Sequence, residues 1–352
     1  VSIAAGVRND RGTKLGISLI AFCFAAVIGL TSLGAREGIL AVTRVGRSPV
    51  AVTIDPAANE AFVVNKGSQE VTVLDLQTHE IKIRYAVGPL PEAIAFNPQT
   101  RTIVVTSPTG KVTTINRASG SISDTLSVGK APARVAIDVE KNAALVTDFD
   151  GASLHVVDLA TQKVTATIGL KNGALGIALL MDKRRAVVAC QYDMELLQVN
   201  LDSNAVDKEF LVGRYVSEVA VNPATGRVVF VDPSSNGILA VYLPDENLVA
   251  STLPIGPGPQ SVAVYAKRNV ALVSEFNGNR VLLVDLEKNI LIRTIRVAKG
   301  PMGLAIHPET GIAVVANRLA DSVTFLDLEA ILNSAPGVSA APAAKSSAPV
   351  VP

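Results

Sequence analysis

The chain has 352 residues, more than one ordinary compact domain needs, and its 32 basic and 31 acidic residues leave a formal net charge of +1, which gives no long-range field for a nucleic-acid backbone. Apolar residues make up 49%, aromatics only 4%, and Trp is absent, so the core is expected to be built from Val, Ile, Leu and Ala, with Val and Ile suited to pleated sheet. Cys23 and Cys190 are the only cysteines, without CxxC or CxxCH spacing, which excludes a disulfide framework and leaves zinc knuckles and c-type haem attachment without support.

The first segment carries Arg8, Arg11 and Lys14 against Asp10, then no charge from Leu15 to Leu33, with charge returning at Arg36. A basic flank before such a run predicts export, with residues 1–36 acting as a signal peptide or signal-anchor helix. Ser32, Gly34 and Ala35 offer small residues for cleavage, while residues 15–33 are also long enough to span a bilayer. The basic side faces the cytoplasm, which makes the rest periplasmic or extracellular, anchored to the inner membrane if the segment is retained.

A Val/Ile-Gly step follows at Val45, Val87, Val128, Ile168, Val212 and Ile255, and Val297-Ala298 completes the series; the spacings are 42, 41, 40, 44, 43 and 42 residues. Each unit repeats one plan. Pro49, Pro91, Pro132, Pro259 and Pro301 stand three residues after the Gly or its substitute, and a short apolar run follows. A turn such as Asp55-Pro56, Asn97-Pro98, Asn222-Pro223 or His307-Pro308 leads to a second apolar run, then a polar loop, a third run and a last strand. Four short strands per unit predict an all-β, seven-bladed β-propeller over residues 37–332. Helical solenoids share the period but need 3.6-residue patterning, which the Val-rich runs lack.

Two details refine this fold. The third strand ends in Asp75, Asn116, Asp158, Asn200, Asp285 or Asp327, short acceptors suited to holding a turn. Unit seven lacks a fourth strand, and residues 38–45 carry the fourth-strand pattern, so the N-terminal strand is expected to complete the last blade and limit exposed edges. Residues 333–352, rich in Ala, Pro and Ser, read as a disordered tail.

The second strands read FVVN at 62–65, IVVT at 103–106, ALVT at 144–147, VVFV at 228–231 and AVVAN at 313–317. With Val-Gly-x-x-Pro and the Val-x-Asp-Leu third strand, they resemble the YVTN family of β-propeller repeats over about residues 38–330. The resemblance implies a propeller similar to haem-d1-type and lactonase-type propellers, in a family with many extracytoplasmic members; it does not fix a function.

Two loop sets are expected at one mouth of the central channel: the Val-Gly-x-x-Pro links and the loops after the second strand. At the first-strand position beside that mouth most units have a small residue, such as Ala51, Ala93 or Gly303, but units three and five have Arg134 and Glu218. A charge near a seam is costly unless the channel solvates it or a partner pairs it, so both either line the mouth or lie in solvent at a strand end. Asp148, Asp193, Asp232 and Glu275 come from four successive units, with Tyr192 and Arg318 in the same loop set, and Asp150 beside Asp148. The acids predict either solvated loop carboxylates or an arc for calcium, which takes several oxygen ligands. His79 is expected at an outer turn, His155 in a third strand and His307 at a first-to-second-strand turn, none meeting another, which weakens haem ligation, zinc hydrolysis and Ser-His-Asp chemistry. No cofactor is predicted. The leading expectation is a non-catalytic, monomeric propeller binding a protein partner or small polar ligand at the channel mouth. The alternative is a cation-dependent lactonase or lyase using the acidic residues.

Overall fold

The computed structural model describes residues 38–334 apart from 124, 213, 235 and 236; the export segment at 1–36 and the tail beyond Ser334 lie outside the described residues. Seven four-stranded antiparallel sheets form a β-propeller. Their inner strands begin at Pro49, Ala93, Pro132, Ala174, Glu218, Pro259 and Pro301, and each touches the inner strand of the next blade. Six blades are continuous meanders. The seventh takes its outer strand, Ile39–Arg44, from the start of the described chain, pairing it with Ser322–Asp327 through Val42↔Thr324 and Arg44↔Ser322.

Burial explains the strand types. The second strands are covered on both faces, as in Glu60–Asn65 and Ala143–Asp148, where every residue is buried. They therefore read as unbroken apolar runs rather than alternating ones. The outer strands Ala205–Leu211 and Leu248–Pro254 alternate between exposed and half-buried positions, the period of a sheet with one wet face. In six blades the outer strand is also bulged against the third, for example between Val156 and Val157; a bulge twists an edge and discourages pairing with another chain. Blade two has only Leu126–Ser127 as its outer strand, beside a lone bridge from Ile115 to Ile122.

Short polar side chains hold the turns away from the mouth. Asp75 accepts the amides of Gln77 and Thr78 through Oδ1, at 2.8 and 3.0 Å. The same geometry recurs at Asn116, Asn200 and Asp285. His307 acts as an Asx side chain would: its Nδ1 accepts the amides of Glu309 and Thr310, and its Nε2 lies 3.2 Å from the Pro56 carbonyl of the neighbouring blade. On this far face the blades are further joined by Arg184 to Asp138 and by Arg117 to Glu60. Asp327 caps the short helix Leu328–Asn333 by accepting the Ala330 amide. Asn333 thus belongs to the helix rather than to the predicted tail. Among the described residues no helix is long and apolar enough to cross a membrane.

Near the axis the inner strands come so close that two positions admit no side chain. A Cβ on Gly303 of blade seven would lie 2.5 Å from the Val50 carbonyl oxygen and 2.7 Å from Ala51 Cα of blade one. These are backbone atoms that cannot rotate away. Gly303→Val should lower the unfolding free energy by about 1–3 kcal/mol or more in urea denaturation. Gly169→Ala, at a strand end where an added Cβ meets nothing within 4 Å, should change it by no more than about 0.5 kcal/mol. Equal effects at the two positions would refute the proposed origin of the tight seam.

Candidate functional site

Arg134 is aimed by a break in its strand's register. The pairing of inner strand Pro132–Asp138 with Ala143–Asp148 slips between Pro132 and Val135. The Arg134 amide instead donates to Thr147 Oγ1 at 3.0 Å, and that hydroxyl donates to the Leu175 carbonyl of blade four at 2.8 Å. One threonine therefore fixes the backbone of Arg134 and fastens blade three to blade four. Ser274 does the same in blade six, accepting the Ser261 amide and donating to the Met302 carbonyl.

Glu218 approaches from two blades away. In blade four between them, the Gly176 amide donates to the Ser217 carbonyl at 3.1 Å, and a Cβ on Gly176 would lie only 2.9 Å from Glu218 Cα. The missing side chain lets blade four close on blade five and brings Glu218 within reach of Arg134. Arg134 Nε donates to Glu218 Oε1, and an Arg134 Nη lies 3.9 Å from Glu92. Glu92 in turn pairs with Lys66 at 2.5 Å. The group is balanced, with two guanidinium or ammonium cations and two carboxylates. Burial raises the Glu218 carboxyl above the ordinary carboxylate range, and Arg134 offsets only part of that rise. Burial alone would weaken the Arg134 charge, but Glu218 and Glu92 more than compensate and hold it firmly protonated.

Glu92, Arg134 and Glu218 line a cavity of about 190 Å³ on the channel axis, to which the inner strands of all seven blades contribute. Glu92, Arg134 and Glu218 occupy one side. Ala51, Ser261, Gly303 and Gln260 supply small or neutral groups on the other. Glu92 and Lys66 are not among the site residues expected from sequence. The available signal was position: Glu92 directly follows Pro91 in the Val-Gly-x-x-Pro link, and Lys66 opens a mouth loop.

Three of the acids expected as solvated loop carboxylates or as a cation arc are instead buried at strand ends. Asp148, Asp232 and Glu275 are the last residues of their second strands and are buried. Asn65, Ser107, Cys190 and Asn317 end the second strands of the other blades, also buried. Every blade therefore turns one residue inward here, and most of these fasten nearby loops. Asp148 accepts the amides of Lys130 and Ala131 at 2.8 and 2.7 Å and that of Gly151 at 3.1 Å. Asp232 accepts the Ser234 amide, Glu275 pairs with Arg280, and Ser107 donates to the Pro89 carbonyl. Asp148, Asp232 and Glu275 each have at least one oxygen engaged within their own blade or link. Asp193 accepts the Asn172 amide at 2.5 Å. Among the described residues no three of His, Cys, Asp and Glu gather closely enough to hold a metal ion. Burial pushes the Cys190 thiol up to about 12, which keeps it protonated and unreactive.

His155 stands in a third strand, as expected, and meets the strand-end residue Asp148. It lies on the third strand opposite Val146, while Ser153 lies opposite Asp148. Alternation puts all four side chains on one face. Its Nε2 is 3.4 Å from Asp148 Oδ2 and 3.2 Å from Ser153 Oγ, and its Nδ1 is 3.0 Å from Thr167 Oγ1. His79 sits at an outer turn, its ring 4.7 Å from that of Phe325. Tyr192 is exposed and packs edge-on against Phe149, with ring centroids 5.2 Å apart. Arg318 is half-exposed at the start of its loop, and its amide donates to the Gly300 carbonyl.

No protein-family model and no curated protein sequence matches the chain. Among solved structures it is similar to Kuenenia stuttgartiensis hydrazine synthase, at 15% sequence identity and a TM-score of 0.73, over 80% of this chain and 95% of that one. At that identity the likeness concerns the propeller fold alone.

Burial raises the Asp148 pKa, but the Ala131 and Lys130 amides, followed by His155 and Gly151, more than reverse this and hold it below the ordinary carboxylate range. A lowered acid stabilises the fold at pH values above its unfolded pKa, and that contribution is lost as pH falls through the folded value. Asp148→Asn should cost about 1.5–3 kcal/mol at neutral pH, measured by denaturant unfolding. The gap to wild type should narrow once the pH drops below the usual carboxylate range; a gap independent of pH would contradict this assignment.

Proposed function

We propose that this chain is a non-catalytic binding propeller of the YVTN type that takes a small zwitterionic ligand in its axial cavity. The supporting observation is the Glu92–Arg134–Glu218 row of alternating charges, with Lys66 paired to Glu92, set against a neutral half-wall. A zwitterion offers a carboxylate to Arg134 and a cation to Glu92 and Glu218, so each buried charge it disturbs keeps an opposite partner. The cavity, about 190 Å³, is smaller than the roughly 300–1,000 Å³ of sites for drug-sized molecules, which suits a ligand of amino-acid size. The cation-dependent hydrolase reading loses support because Asp148, Asp232 and Glu275 already serve local contacts.

The proposed setting is outside the cytoplasm, on the basic flank and uncharged run of residues 1–36.

Calorimetric titration at low ionic strength with glycine betaine, L-lysine and L-glutamate tests the ligand class. At least one zwitterion should bind while uncharged glycerol does not. Arg134→Met and Glu218→Leu should each weaken binding by about tenfold or more. Binding should also decline as pH falls, starting above the usual carboxylate range, because burial raises Glu218 and a protonated Glu218 no longer attracts the ligand cation. Absence of binding to all three zwitterions, or unchanged affinity in both variants, would sink the proposal.

A further inference from the structure

The loops on the mouth face carry features that the cavity does not require. The three most exposed large apolar side chains of the described residues are Leu211 at 67%, Leu319 at 63% and Tyr192 at 59%. All three lie on this face: Tyr192 and Leu319 in loops after second strands, and Leu211 at the end of an outer strand opposite Glu195. Tyr215 is also exposed and stands in the link entering blade five, three residues before Glu218. The chain has five tyrosines. Tyr85, Tyr242 and Tyr265 are buried, so both exposed ones belong to this face. Tyr192 is supported from beneath, since a Cβ on Gly173 would lie 3.1 Å from its ring, and from the side by Phe149. Phe149 packs on Tyr192, and Leu211 and Tyr215 add exposed apolar groups in blade four and the link entering blade five, an apolar ledge on the sector of the rim that holds Arg134 and Glu218.

The charge of the rim is one-sided. The links and mouth loops contain seven bases and four acids: Arg47, Lys66, Lys130, Lys171, Arg214, Lys299 and Arg318 against Glu92, Asp150, Asp193 and Asp321. Three of the acids are turned to neighbours: Glu92 to Lys66, Asp193 to the Asn172 amide and Asp321 to the Ser48 amide. Among the described residues, Arg47, Lys130, Arg214, Lys299 and Arg318 have no carboxylate within salt-bridge distance, although Lys66 and Lys171 do. The exposed rim is therefore apolar on one sector and positively charged around it. Rigid tyrosines beside apolar anchors are the composition of a binding hot spot, and unpaired rim charges speed encounter with a partner of opposite sign.

We infer that the mouth face docks an acidic protein segment: its apolar side chains pack on the Phe149–Tyr192–Tyr215–Leu211 ledge, and its carboxylates face the basic rim. The inference stands apart from ligand binding in the cavity. The test is fluorescence anisotropy with a labelled dodecapeptide alternating glutamate and leucine, titrated with the purified chain at low and high salt. Control probes are the lysine–leucine counterpart and phosphatidylserine–phosphatidylcholine vesicles. The acidic peptide should bind and the lysine peptide should not, with affinity falling as salt rises. Tyr192→Ser and Tyr215→Ser should each weaken binding by about tenfold, while Lys299→Ser with Arg318→Ser should flatten the salt dependence. The Arg134→Met variant should still bind the peptide, which separates failure of the rim from failure of the cavity. The inference is overturned if the acidic peptide does not bind, if the tyrosine variants bind it as wild type does, or if vesicles sediment the chain while the peptide stays free.

Discussion

Seven sheets cannot meet around one axis unless their inner strands nearly touch, and this crowding governs the rest of the molecule. It forces glycine where Gly176 and Gly303 lie against the backbone of the next blade. It also favours small groups such as Ala51, Ala93 and Ser261 at the matching positions. It makes hydroxyls useful as fasteners, since Thr147 and Ser274 each serve an amide in their own blade and a carbonyl in the next. A long charged side chain fits in such a place only where another answers it. Arg134 and Glu218 share one sector of the axis and are paired there, whereas either alone would be a buried charge without a partner.

Much of this was legible in the sequence because it recurs. The Val-Gly steps, the X-Pro turns and the strand-ending Asp residues gave seven registers in agreement, and the missing fourth strand of the last unit was assigned to residues near 40, where Ile39–Arg44 indeed pairs with Ser322–Asp327. Arg134 and Glu218 stood out because they broke a rule of small residues. The roles of Asp148, Asp232 and Glu275 were hidden for the opposite reason. Polar residues after an apolar run read as loop, yet these are the last, buried residues of their strands. The position is filled by Asn, Ser, Asp, Cys or Glu in different blades, and no single residue type marks it. The contact of His155 with Asp148 was hidden because strand pairing, not adjacency in the sequence, puts the two on one face.

The likeness to a solved propeller at 15% identity shows how little of the sequence the fold consumes. The apolar runs and turn residues sustain the ring, while the links and mouth loops are free to differ. In this chain those loops hold two chemically distinct regions: a balanced set of charges within the cavity, and an exposed apolar and basic rim around it. One fits a small neutral-overall molecule, the other a larger surface. They share the sector of blades three to five, so an occupant of either lies close to the other.

The way the ring is closed has a mechanical consequence. The strand Ile39–Arg44 starts beside Leu326 and runs toward the mouth, and the Gly38 carbonyl accepts the Asp327 amide just before the helix Leu328–Asn333. Both ends of the described chain therefore leave from the far face, at the same end of one ladder. Tension between them would open that ladder one rung at a time, as a zipper parts, rather than shear all its bonds together. A tether on residue 38 would meanwhile hold the molecule by its back, leaving the cavity and its rim facing away from whatever the tether is fixed to.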